Sequence, residues 1–140
     1  MVHVPDPLSV GDSAVDNLAA ALAPRYRVLS VSSRGDVPYQ VDAVDLIGVL
    51  SQFGFRTPVL VGERLGCVTA LVAAAWYPDR VRGLILVEPL FDARPAETLA
   101  ARALGDCPPD VARLRAAVRC FVLERTTPED IEAFLAATLP

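Results

Sequence analysis

Residues 59–77 read Val59-Leu60-Val61-Gly62-Glu63-Arg64-Leu65-Gly66-Cys67-Val68-Thr69-Ala70-Leu71-Val72-Ala73-Ala74-Ala75-Trp76-Tyr77. Val59 to Val61 is a short β-branched and apolar run, the pattern of a buried strand. Gly62 and Gly66 bracket a tight turn. The Ala- and Val-rich run that follows is long enough for a buried helix, and Pro78 stops it, because proline cannot continue a helix. Glycine thus stands two residues to either side of Arg64.

On either side, the chain alternates strand and helix patterns. Val2 to Val4 is at most a stub of strand. A helix capped by Asp12 or Ser13 is predicted through Val15, Leu18, Ala19 and Leu22, followed by a strand over Arg27 to Val31. Val41, Val44, Leu46, Ile47, Leu50 and Phe53 have helical spacing, with Gly54 placed to end the helix. Gly83 to Val87 is a third clear strand. Strands separated by helices imply right-handed crossovers and a parallel sheet. After Pro89 the pattern predicts helices over Ala96 to Leu104, Asp110 to Glu124 and Pro128 to Leu139, with Thr127 as N-cap and Asp130 at N3 of the last.

Length and composition bound the function. At 140 residues, 53% hydrophobic and mean hydropathy +0.39, the chain is one structural domain with a densely buried core. Net charge is −4 and the arginines are scattered in sequence, which excludes a basic nucleic-acid-binding stripe. The cysteines are Cys67, Cys107 and Cys120, with no Cys-x-x-Cys pair, and there is one histidine, so neither a zinc site nor any other metal or cofactor is expected. No signal peptide or membrane-length apolar run is read, and a cytoplasmic protein is expected.

The frame Gly62-Glu63-Arg64-Leu65-Gly66 resembles the nucleophile elbow of the α/β-hydrolase superfamily, Gly-x-Ser-x-Gly, with arginine where that family has serine. The resemblance extends over residues 3 to about 92. His3-Val4 stands where the family has the His-Gly of its oxyanion turn, Tyr26-Arg27-Val28 resembles the strand after the first helix, and Ser33-Arg34-Gly35 resembles the loop beyond it. Asp45-Leu46, Gly54, Ala75, Tyr77-Pro78, Arg80-Val81 and Leu84 to Pro89 also match. It implies an α/β fold: a parallel sheet of three or four strands flanked by helices, a partial α/β-hydrolase core over residues 1–92. A helical cap-like segment over residues 93–140 would follow. Family strands before and after this region are not found, so the chain reads as truncated relative to the family.

The family reaction needs a nucleophile at the elbow, a histidine as base and a carboxylate to orient it. A guanidinium stays protonated and cannot attack. His3 falls at the oxyanion turn and not at the base position. No Ser-His-Asp triad can be assembled here, and the catalytic residue set is empty. A small anionic or apolar ligand is expected, with Glu63, Arg64, Leu65, His3, Val4 and Glu88 as candidate binding residues. For Arg64 two readings stand. In the preferred one the turn has relaxed and Arg64 pairs with Glu63, Glu88 or Asp92; in the other, Arg64 and the helix amides after it hold a carboxylate or phosphate.

Three functions follow from the resemblance. One is a non-catalytic binding homologue, a pseudoenzyme. Another is an enzyme using non-triad chemistry, as in relatives that run lyase, isomerase or oxygenase steps. The third is a segment of an esterase-, epoxide-hydrolase- or dehalogenase-like hydrolase completed by another chain. The strand Gly83 to Val87, with no successor strand expected, predicts a bare sheet edge and hence a homodimer or a second polypeptide.

Overall fold

The computed structural model describes residues 1–4, 19–31, 39–64, 66–88, 111–118, 120–124 and 127–139. Its strands are β1 (Val2–Val4), β2 (Leu29–Ser30), β3 (Val59–Glu63), β4 (Gly83–Val87) and β5 (Phe121–Glu124). They form one sheet in the order β2-β1-β3-β4-β5, and every neighbouring pair is parallel. The helices are α1 (Tyr39–Gln52), α2 (Gly66–Trp76), α3 (Val111–Ala117) and α4 (Pro128–Thr138). Residues 19–22 are also helical.

Side chains alternate across a strand, and here both faces are buried. Leu60, Leu84 and Leu86 join the core under α1 and α2 with Leu46, Leu50, Val68 and Leu71. Val59, Val61 and Ile85 point the other way, onto Leu22, Ile131 and Leu135. A sheet covered on both faces needs the near-continuous apolar runs seen in β3 and β4, which is why those two were legible in the sequence. Each fully buried Leu or Ile contributes about 1.5–3 kcal/mol.

Three expectations are corrected. The sheet has five strands, not three or four. The stub Val2–Val4 is an interior strand, paired with β2 on one side and β3 on the other. The helix expected over Asp110 to Glu124 ends at Ala117, and Phe121–Glu124 turns into β5 alongside β4. Gly83 to Leu86 pairs with Phe121 to Glu124, so β4 has no bare edge and that argument for a dimer falls. The C-terminal segment is therefore not all-helical. The helix expected over Ala96 to Leu104 lies outside the described residues. Thr127 caps α4 as expected: its hydroxyl accepts from Asp130 N at 3.2 Å, and the Asp130 carboxylate accepts from Thr127 N at 3.1 Å.

Candidate functional site

The elbow is built from the end of β3 upward. A Cβ at Gly62 would lie 2.7 Å from Cys67 Cα and 3.1 Å from Ala70 Cβ, so glycine alone lets α2 pass this close to the strand. Arg64 then takes φ +51°, in the left-handed region. Its N–H donates to Val87 O at 2.9 Å, and its own carbonyl accepts from Cys67 N at 3.2 Å. The expectation of a relaxed turn is thus corrected: the sharp elbow backbone is present with arginine at its tip. A non-glycine residue there costs roughly 1–2 kcal/mol. The two backbone hydrogen bonds and the close packing of α2 hold it against that cost.

Of the three partners weighed for Arg64, Glu88 lies within ion-pair distance, and Asp92 lies outside the described residues. Arg64 Nη1 lies 3.8 Å from Glu88 Oε2, with the two side chains 44% and 76% exposed. Glu88 also has positive φ, +47°, directly after β4. Two left-handed residues therefore sit side by side at the C-terminal ends of adjacent strands. An exposed pair at this separation is worth about 0–1 kcal/mol, so it orients Arg64 more than it stabilises the fold.

The other candidates fall as follows. Glu63 ends β3 opposite Val87 and is buried. His3 lies on β1 between Ser30 and Val61, and Val4 lies opposite Gly62, which brings the backbone of the expected oxyanion turn beside the elbow strand. Leu65 lies outside the described residues. Cys67 is fully buried in the first turn of α2, its thiol 3.6 Å from Val87 O, packed between helix and sheet.

A cavity of about 610 Å³ opens beside α1, lined among the described residues by Val4, Val31, Asp42, Leu46 and Thr69 but not by Arg64 or Glu88. Asp42 and Thr69 are buried on its wall. Asp42 sits in the first turn of α1, one helical turn after the buried Tyr39, and that spacing is the signal that it turns inward. Among the described residues, no group of His, Cys, Asp or Glu is placed to hold a metal, and no helix is long and apolar enough to cross a membrane.

No protein-family model matches the chain. Over 83 residues it is 40% identical to the sn-1-specific diacylglycerol lipase ABHD11 of Mus musculus. That match covers 52% of this chain, which spans only 27% of the lipase. Among solved structures, it resembles the N-formylmaleamic acid deformylase of Pseudomonas putida, with a TM-score of 0.64 and 18% identity. That superposition covers 96% of this chain and 79% of the deformylase.

Proposed function

We propose that this chain, which has the α/β-hydrolase fold, is a non-catalytic member of that fold that binds a small carboxylate-bearing ligand at the elbow. One observation carries the reading. The sharp turn that would lift a nucleophile out of the sheet lifts a guanidinium instead, at φ +51° and 44% exposed. A guanidinium offers a planar fork of donors that matches a carboxylate and never loses its charge. It cannot attack an ester. The lipase activity of the mouse relative is a property of that protein, and the residue that would carry such chemistry is Arg64 here.

Glu88 is the built-in competitor of such a ligand. Its carboxylate lies 3.8 Å from Arg64 Nη1, a distance longer than a charge-assisted hydrogen bond, so a ligand carboxylate that sits closer would displace it. The test is calorimetric titration with acetate, hexanoate and benzoate. Arg64→Ala is expected to weaken binding by about tenfold or more, and Glu88→Gln to tighten it. Equal affinities in wild type and Arg64→Ala would remove Arg64 from the account.

A second reading, a hydrolase completed by another chain, draws on the 40% identity with a lipase. A second polypeptide could bring a histidine and an acid, but not a nucleophile at position 64. A fluorophosphonate probe is expected to leave the native protein unlabelled. Arg64→Ser alone is expected to give no ester turnover, because the base, commonly worth ~10²–10⁴ in rate, is still missing. Labelling that vanishes on heat denaturation would overturn both statements.

A further inference from the structure

The arginines that are scattered in sequence are not scattered in space. Arg25, Arg27, Arg56 and Arg82 come from three separate stretches of chain, leading into β2, β3 and β4, yet all four line one cavity of about 450 Å³. It lies at the N-terminal edge of the sheet, the end opposite the elbow. All four side chains are exposed, and no carboxylate is among the described lining residues. Outside the lining, Glu132 pairs with Arg25. The Met1 ammonium borders the same cavity, donating to Arg27 O at 2.8 Å. Its pKa is lowered, first by burial and then by the Arg27 charge, as expected beside a positive field. In a chain of net charge −4, this is a pronounced local reversal of sign.

The cluster is also braced. Arg27 donates to Phe53 O and stacks over the Phe55 ring, 4.3 Å from its centroid. Arg80, outside the cavity, donates to Arg56 O at 3.0 Å and to Phe55 O at 3.3 Å, which fixes the loop between α1 and β3 that carries Arg56. Arg82 reaches Thr57 Oγ1 at 3.5 Å. The Arg27 and Arg82 guanidiniums, held in this way, lose less freedom when a ligand arrives. Tyr26 and Phe55 supply an apolar wall between them.

We infer that this cavity binds a small organic phosphate, its phosphoryl group held by Arg27, Arg56 and Arg82 and its apolar or aromatic body laid against Tyr26 and Phe55. Several guanidinium forks lining one shallow cavity suit the three outer oxygens of a phosphate better than the two of a carboxylate. The site is independent of the elbow: a five-residue β3 separates the two ends of the sheet by roughly 17 Å.

The test is calorimetric titration with phenyl phosphate, inorganic phosphate and benzoate. Phenyl phosphate is expected to bind about tenfold tighter than either of the others, with affinity falling as salt rises. Arg56→Ala/Arg82→Ala is expected to weaken it on the order of 100-fold, at about tenfold per guanidinium. Arg56→Lys/Arg82→Lys, which keeps the charge and loses the fork, is expected to fall between and serves if the alanine variant folds poorly. Arg64→Ala should leave phenyl phosphate affinity unchanged, so this site stands or falls apart from the elbow. No binding, equal affinity in wild type and the alanine variant, or loss in Arg64→Ala would overturn the inference. So would displacement of phenyl phosphate by a single-stranded oligonucleotide without a terminal phosphate, which would mark a nucleic-acid surface instead.

Discussion

The sharpest mechanical prediction is at Gly62. Adding one methyl group by Gly62→Ala puts a carbon 2.7 Å from Cys67 Cα and 3.0 Å from Cys67 N, both backbone atoms of a helix that cannot swing aside as a side chain could. Carbon atoms sit comfortably at about 3.5–4.0 Å, so α2 must retreat by on the order of 1 Å. That face of α2 is fully packed: Val68, Ala70, Leu71 and Ala74 are each at most 3% exposed. A gap of that size forfeits a quarter or more of the dispersion of each contact, and a buried side chain makes some 40–60 of them at ~0.1–0.2 kcal/mol. The cost comes to about 2–3 kcal/mol, in line with overpacking penalties of roughly 1–3 kcal/mol. In urea, with a slope of about 1–3 kcal/mol per molar, the unfolding midpoint should fall by about 1–2 M. Gly48→Ala supplies the contrast. Nothing lies within 4 Å of its Cβ position in the middle of α1, so the same substitution should stabilise by about 0.5–1 kcal/mol through helix propensity. A wild-type midpoint for Gly62→Ala, with unchanged slope, would refute the close approach of α2 to β3 on which the elbow depends.

Two further outcomes are expected. Thr127→Ala removes one half of the reciprocal cap on α4 and should cost about 1 kcal/mol by urea unfolding, with α4 fraying first in hydrogen exchange. Burial pushes the Cys120 thiol above its ordinary 9.0, so above that pH the unfolded chain releases the proton first. This contribution to stability is therefore full below 9.0 and is lost as pH rises through the folded value; Cys120→Ala should show a shallower alkaline fall than wild type, and identical slopes would count against it.

What could be read in the sequence follows from how locally each feature is encoded. Gly83–Val87 was placed to the residue because a β-branched and leucine-rich run between Arg82 and Glu88 has one sensible reading. β5 was missed because Arg115, Ala116 and Ala117 are good helix formers, and no Gly or Pro marks the break before Phe121. A four-residue apolar run extends a helix as readily as it makes a strand, and only pairing with β4 decides. At the elbow, the glycine spacing predicted the turn, while the arginine argued for its relaxation. Packing outweighed the strain. The arginine cluster had no signal at all in one dimension, since residues 27, 56 and 82 come to line one cavity only through the order of the strands.

The sheet order also sets a sequence of events in time. β3, α2 and β4 form a continuous stretch whose ends close a single short crossover, and β3 and β4 pair along their whole length. That unit can assemble early, because few residues must be ordered before its contacts are made. β5 must find the far side of β4 only after the residues between 88 and 120 have closed a long loop. We expect it to dock late, so that substitutions in β5 hasten unfolding while those in β3 and α2 slow folding. Until β5 arrives, the nascent chain presents Leu84 and Leu86 on an open strand, and the interval before docking is when aggregation competes with folding.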